Sequence, residues 1–378
     1  MKIVIDENIP LAEDFFAAHG EIVRLPGRHL QAADVADADA LLVRSITQVN
    51  DSLLAGSQVK FVGTCTIGTD HLDQRWLDQQ GIGYSNAPGC NANSVVEYVY
   101  AALAHLNLDW RGKTVGIIGC GNVGGALHRA LTAQGVACRC YDPLLNLGQN
   151  PDLCPLEEVL QCDIVSLHTP LTIDGAHPSR HLLTKQLLQK LPPQGILLNC
   201  GRGAVIDNKA LLQVLRERDD LQVVLDVWEW EPDIDLQLLE RVVLGSPHIA
   251  GYSFDGKLKG TAMIYEAFCR HFAITPQVTL ADVVPAVEDN LLHAPAGVEH
   301  WQAVRQLIAQ VYSIAADDKR LRALAATAGG QGDALSQGFD QLRKNYPLRR
   351  EFNNYQVTGV AANTPLASTL AALGFNLS

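Results

Sequence analysis

The sequence predicts an α/β protein built on parallel sheets, and three observations support this. Short β-like runs alternate with helical ones over most of the chain, the pattern of βα units. Four of these runs, "VGII", "DIVSL", "ILLN" and "VVLDV", have apolar centres, as parallel strands covered on both faces require. One strand–helix junction carries a glycine-rich turn, Gly119-Cys120-Gly121-Asn122-Val123-Gly124.

The elements follow in order. "KIVID" (2–6) is a strand, and "PLAEDFFAAHG" (10–20) is a helix with Pro at its start and Gly at its end. "ADALLVRS" (38–45) and "VKFVGTC" (59–65) are buried strands, and "HLDQRWLDQQG" (71–81) is a second helix. "NSVVEYVYAALAHL" (93–106) is a long helix apolar on most sides, placed to link two lobes. Strand, glycine loop, helix and strand then occupy 113–143, followed by βα units at 163–170, 195–206 and 222–228. Beyond about residue 280 the pattern changes. "HWQAVRQLIAQVYSIAADDKRLRALA" and "DALSQGFDQLRKNY" are helical, and "NNYQVTGVA" is a strand, so a small α+β tail domain is expected.

Composition narrows the function. A chain of 378 residues has room for two or three domains. Its net charge of −12 argues against a nucleic-acid-binding surface, while leaving room for a local basic pocket. Nine cysteines stand singly except Cys138 and Cys140, with no CxxC and no paired zinc spacing. Reduced, buried thiols in a cytoplasmic protein are expected. The twelve histidines form no HExxH, which disfavours a metal-dependent hydrolase, and no metal is expected. No membrane is implicated: no uncharged apolar run of roughly 18 residues occurs, and the opening strand carries Asp6 and Glu7, unlike a signal peptide.

The glycine loop fits GxGxxG between a strand and a helix. Its glycines allow a tight turn, close approach of a pyrophosphate and close helix–strand packing. The helix N-terminus offers free N–H groups to phosphates. Asp142, eighteen residues beyond Gly124 at the end of the next strand, suits ribose hydroxyls and repels a 2′-phosphate, so NAD is favoured over NADP in a Rossmann-type domain. Arg139, three residues before it, reads as a surface charge.

Three polar residues follow predicted strands: Arg202 in "NCGRGAVID", Glu231 in "DVWEWEP" and His248 in "SPHIAG". Ligands of open α/β sheets bind outside these strand ends. A His suits removal of a hydroxyl proton, a carboxylate would orient it, and an Arg fork holds a substrate carboxylate. On spacing alone, a structural strand-end His is the commoner reading.

Taken together, "GCGNVG", "GRGAVID", "DVWEWEP" and "SPHIAGYS" resemble the D-isomer-specific 2-hydroxyacid dehydrogenases over roughly residues 1–280. The resemblance implies catalytic roles for Arg202, Glu231 and His248. It implies cofactor contacts from Gly119, Gly121, Asn122, Val123, Gly124, Asp142, Thr169, Cys200, Gly201, Asp226 and Gly251. It also implies a split, flavodoxin-like substrate domain (1–92 and 253–280) around the NAD-binding domain (93–252). A closer likeness, carried by "MKIVIDENIP", "NAPGCNANSVVEY", "GYSFDGKLKGT" and "LRREFNNYQV", implies a phosphorylated hydroxy acid as substrate and a homodimer held by a C-terminal dimerisation domain (281–378). The loop "HTPLTIDGAHPSRHLL" is longer than the family's usual one, which leaves its cofactor contacts open.

Such a substrate needs two anion sites. Ser45 and Thr66, after strands of the first lobe, are candidates for one, with turn or cap residues as the alternative. Tyr252 is a further substrate candidate. Arg44 leads the basic candidates for the phosphate, ahead of Lys257, Lys259, Arg349 and Arg350, the last two also placed to complete a partner's site across a dimer. Two other readings stay open: a dehydrogenase of another acid such as 3-phosphoglycerate, and a non-catalytic NAD-sensing protein on the same fold.

Overall fold

The computed structural model describes residues 1–328 and 332–378. It divides into two compact units, Met1–Asn91 with Ser253–Ala286, and Ala92–Tyr252 with Val287–Ser378.

The first unit carries a five-stranded parallel sheet of β1 (Lys2–Asp6), β2 (Glu21–Leu25), β3 (Ala40–Val43), β4 (Phe61–Thr64) and β5 (Gly83–Ser85), in the flavodoxin-like order β2-β1-β3-β4-β5. Ile3, Val4 and Ile5 are all buried, because helices cover both faces. The helix Gln74–Gln80 begins where Asp73 accepts from the N–H of Trp76 and ends at Gly81, whose φ of 68° suits glycine. The predicted helix 10–20 is shorter, Ala12–Phe16 followed by one 3₁₀ turn. Phe15 and Phe16 pack on Tyr265, and Phe16 also meets Phe268 edge-on.

Tyr265 and Phe268 belong to an 18-residue helix, Phe254–His271, capped by Ser253. Its start, with two glycines and two lysines, looks like a loop in sequence. Gly256 and Gly260 lie four apart and so on one face. A Cβ on Gly256 would meet Asn91 Cβ at 3.0 Å, and one on Gly260 the Cys65 carbonyl oxygen at 2.8 Å. Tertiary packing asks for glycine here and overrides its low helix propensity.

The second unit holds a six-stranded parallel sheet of β6 (Thr114–Ile118), β7 (Ala137–Tyr141), β8 (Ile164–Leu167), β9 (Ile196–Asn199), β10 (Gln222–Leu225) and β11 (Leu244–Gly245), in the order β11-β10-β9-β8-β6-β7. The chain builds outward from β6 to β7, then returns to the other side of β6 with β8. This reversal opens a crevice beyond the carboxyl ends of β6 and β8.

The tail adds a three-stranded parallel sheet, β12 (Leu291–His293), β13 (Gln356–Thr358) and β14 (Asn376–Leu377), in that order. Of the predicted strand 353–361 only Gln356–Thr358 is extended, because Phe352–Asn354 forms a 3₁₀ turn. The predicted helix from 300 is two helices, His300–Val311 and Ile314–Thr327. The break falls at Tyr312, which is extended (φ −139°) and donates its hydroxyl to Asp317 at 2.7 Å.

The tail shares its core with the six-stranded unit. Trp301, Leu307, Ile308 and Phe352 join one buried cluster with Val99 and Leu103 of the helix Ala92–His105, and Trp301 packs edge-on to Trp110 at 5.0 Å. Among the described residues, no helix is long and apolar enough to cross a membrane.

Candidate active site

The glycine loop leaves β6 at Gly119, whose φ of 85° only glycine adopts without strain. A Cβ on Gly124 would lie 1.9 Å from the Gly119 carbonyl oxygen, so the turn closes only with glycine there. Around Gly121 nothing lies within 4 Å of the corresponding position. That open space faces the start of the helix Asn122–Thr132, which no side chain caps. An unfilled cradle beside uncapped N–H groups fits a dinucleotide pyrophosphate.

Asp142 stands just past β7. Its Oδ2 accepts from the Cys120 N–H at 2.9 Å and its Oδ1 from the Leu144 N–H at 3.0 Å. The carboxylate therefore ties the loop down and keeps negative charge beside it. Arg139 is exposed and 3.4 Å from Glu158, a surface pair.

Thr169 follows β8 across the crevice and donates its hydroxyl to the Ile118 carbonyl at 3.1 Å. The loop after it closes on itself, with Ser179 Oγ donating to the Pro170 carbonyl at 2.6 Å. Cys200 and Gly201 follow β9. Burial, then the charge of Asp226, pushes the Cys200 thiol well up, so it stays neutral. A Cβ on Gly201 would come within 2.7 Å of the Thr169 carbonyl oxygen, and one on Gly203 within 1.9 Å of the Trp228 carbonyl carbon. The "GRG" spacing is thus set by backbone approach on both sides of Arg202, whose Nη1 donates to the Gly201 carbonyl at 3.0 Å.

His248 and Glu231 meet. Glu231 Oε1 lies 2.5 Å from His248 Nδ1, and its Oε2 accepts from the Trp228 N–H at 3.1 Å. Burial opposes ionisation of Glu231, but the charge and hydrogen bond of His248 outweigh it and hold the carboxyl below its ordinary value. The His248 backbone is left-handed (φ 56°), a conformation sparsely populated outside glycine. Asp226 holds it there. Its carbonyl accepts from the His248 N–H at 2.7 Å, and its buried carboxylate accepts from Ser246 Oγ (2.6 Å) and from the N–H groups of Ile249 (2.8 Å) and Ala250 (2.9 Å). Asp226 is therefore the knot of the His248 loop. Gly251 and Tyr252 end that loop, and the Tyr252 ring meets Tyr346 edge-on at 5.9 Å.

Two residues play parts that their sequence context does not reveal. Tyr98, on the helix Ala92–His105, bonds Ser246 Oγ at 2.7 Å and extends the Asp226 network. Arg349, read as a candidate for a partner's phosphate site, is buried in its own chain. It donates to the Ser94 carbonyl (3.0 Å) and to the Ala250 carbonyl (2.7 Å), and stacks on Tyr312 at 4.3 Å. Arg350 is buried too and bonds Asn354. Neither reaches outward, because the "RREF" segment is folded against the helix Ala92–His105: Asn93 donates to Glu351 at 2.9 Å, and the Phe352 N–H to Glu97 at 2.7 Å.

The remaining substrate candidates belong to the first unit. Ser45 is exposed after β3. Arg44 Nε donates to the buried Asp6 at 3.0 Å. Thr66 follows β4 and shares a hydrogen bond with Thr64 at 2.8 Å. Lys257 and Lys259 lie on the helix Phe254–His271. Elsewhere, His181, Asp207 and Glu229 bring possible metal-ligand atoms within 4.8 Å of one another. Each already has a partner: His181 bonds Glu229 at 2.7 Å, and Asp207 caps a helix.

Residues 93–250 match the family model for the D-isomer specific 2-hydroxyacid dehydrogenase, NAD binding domain, and residues 283–374 match a domain of unknown function, DUF3410. The chain is 60% identical to the erythronate-4-phosphate dehydrogenase of Cellvibrio japonicus, over 99% of both chains. It is 45% identical to that of Escherichia coli O127:H6, over 100% of this chain and 98% of the relative. Among solved structures, the NAD⁺-bound 3-phosphoglycerate dehydrogenase of Entamoeba histolytica superposes with a TM-score of 0.62 at 26% identity, over 72% of this chain and 95% of that one. A D-lactate dehydrogenase from Aquifex aeolicus, at 20% identity and a TM-score of 0.61, shares the fold over 72% of this chain and 95% of its own. The cradle, the Asp142 carboxylate and these likenesses agree on an NAD-dependent dehydrogenase. With the loop that shapes the cradle and the His248–Glu231 pair in one unit, and full-length identity of 45–60% to curated relatives, the chain belongs to the erythronate-4-phosphate dehydrogenases, within the D-isomer specific 2-hydroxyacid dehydrogenases.

Proposed function

We propose that this enzyme oxidises the C2 hydroxyl of 4-phospho-D-erythronate to 2-oxo-3-hydroxy-4-phosphobutanoate, a step toward pyridoxal 5′-phosphate. The observation that carries the reading is the His248–Glu231 hydrogen bond, in the same unit as the dinucleotide cradle. When bound, NAD supplies the two-electron acceptor for the hydride that leaves C2. Gly119, Gly121, Asn122, Val123 and Gly124 hold its pyrophosphate and Asp142 its ribose, with Thr169, Cys200, Gly201, Asp226 and Gly251 lining the nicotinamide side.

His248 takes the hydroxyl proton on Nε2, because Nδ1 is engaged by Glu231. The charge that develops on the ring is stabilised by the ionised Glu231. Arg202 holds the substrate carboxylate through its planar fork and polarises the forming carbonyl. The alcohol thus loses one hydride and one proton and becomes a ketone. Ser45, Thr66, Arg44 and Tyr252 are assigned to the substrate's polar groups. The protein acts as a cytoplasmic homodimer through its tail. Nine free cysteines suit a reducing compartment, and Leu291, Leu348 and Leu377 leave apolar surface exposed on the tail.

The test is kcat/KM with NAD for 4-phospho-D-erythronate against 3-phosphoglycerate. Preference for the first is expected. A preference for 3-phosphoglycerate would move the enzyme to another substrate, and tight NAD binding without hydride transfer from any hydroxy acid would favour a sensor.

A further inference from the structure

The tail helix Asp333–Lys344 ends beside the His248 loop and carries Arg343 in its last turn. The Arg343 guanidinium lies over the Tyr252 ring, 5.5 Å from its centroid. Its Nε is buried and has no hydrogen-bond partner among the described residues. Two other arginines of the tail are paired with carboxylates, Arg320 with Asp317 and Arg322 with Asp318, whereas Arg343 leans on Tyr252. Arg343 as a whole is half-buried, and a buried Nε left unused is costly unless an anion arrives to take it. Burial works against the Arg343 charge, but Tyr252, then Glu231 and Asp340, outweigh it, so the charge is kept. Glu231 is the partner of His248, which places this cation within the electrostatic reach of the proposed proton acceptor.

An acid phosphorylated at its far end brings two anionic groups. The Arg202 fork accounts for one. We propose that Arg343, with Tyr252, binds the substrate's phosphate, so that the tail contributes a specificity residue to the site of its own chain. This rests on the substrate proposed above. Planar guanidinium donors match phosphate oxygens in pairs, which a lysine cannot reproduce. Tyr252 supplies a face for the guanidinium to rest on.

The experiment compares 4-phospho-D-erythronate with D-erythronate in the full-length enzyme, in Arg343→Met and in Arg343→Lys. In Arg343→Met the preference for the phosphorylated acid, as a ratio of kcat/KM, should fall about 10- to 100-fold, mostly through KM, as expected for loss of a charged hydrogen bond. Arg343→Lys should recover part of it. Inorganic phosphate should inhibit the unaltered enzyme competitively and either variant more weakly. Equal losses on both acids, or unchanged phosphate inhibition in Arg343→Lys, would assign Arg343 a structural part and overturn the proposal. If Arg343→Met does not fold, the lysine variant decides alone by the same two readouts. An unaltered enzyme without activity on 4-phospho-D-erythronate refutes the substrate instead. An unaltered enzyme that prefers it, with variants that keep the preference, refutes only the role of Arg343.

Discussion

At the scale of single residues, His248 is defined by its partners. A histidine after a short strand is a common structural feature, and its side chain alone suggests no chemistry. Here its backbone is fixed by Asp226 and its Nδ1 by Glu231, so one ring nitrogen is spent on orientation. Proton transfer by a positioned side chain contributes about 10²–10⁴-fold. His248→Ala should therefore lower kcat by that factor with NAD binding retained, measured by steady-state kinetics and cofactor titration. A loss below tenfold would remove His248 from the chemistry. Because Glu231 reaches the proton transfer through the ring, adding Glu231→Gln to His248→Ala should cost little further in kcat, a non-additivity expected of residues that work as a unit.

At the scale of elements, strand ends concentrate both the polar groups and the conflicts. β8 ends at Ser166-Leu167, and His168 and Thr169 follow it, next to the cradle. His168 Nε2 bonds Ser166 Oγ at 2.9 Å, while its Nδ1 is buried with no partner among the described residues. Burial lowers its pKa to about 3. The folded form therefore keeps His168 neutral where the unfolded chain, with an ordinary value near 6.5, binds a proton. Stability is complete above that unfolded value and is lost as pH falls toward 3, by up to about 1.4 kcal/mol per pH unit. Urea midpoints at pH 7.5 and pH 5 should draw closer together in His168→Gln than in the unaltered chain. Equal pH dependence in both would show that the ring is not held neutral.

At the scale of the whole molecule, what could be read in the sequence was what local chemistry dictates. The glycine loop, Asp142 and the strand-end positions of Arg202, Glu231 and His248 follow from backbone geometry, which neighbouring residues encode. The helix Phe254–His271 was obscured because Gly256 and Gly260 answer to distant Asn91 and Cys65. The inward turn of Arg349 is not legible, because nothing in "LRREF" shows that the Ser94 and Ala250 carbonyls accept from it. The tail has no nucleotide motif and invites a reading as an attached dimerisation module, yet its apolar side is built into the six-stranded unit. Trp301, Leu307, Ile308 and Phe352 pack in the cluster of the helix Ala92–His105. Each such side chain contributes about 1.5–3 kcal/mol by burial, against a total stability of about 5–15 kcal/mol for a folded protein. A chain ended at Ala286 should therefore lose its cooperative melt and its NAD binding, seen by calorimetry and cofactor titration. A tail that served only to join two subunits would leave a folded monomer that still binds NAD, and that outcome would separate the tail from the core it is assigned to here.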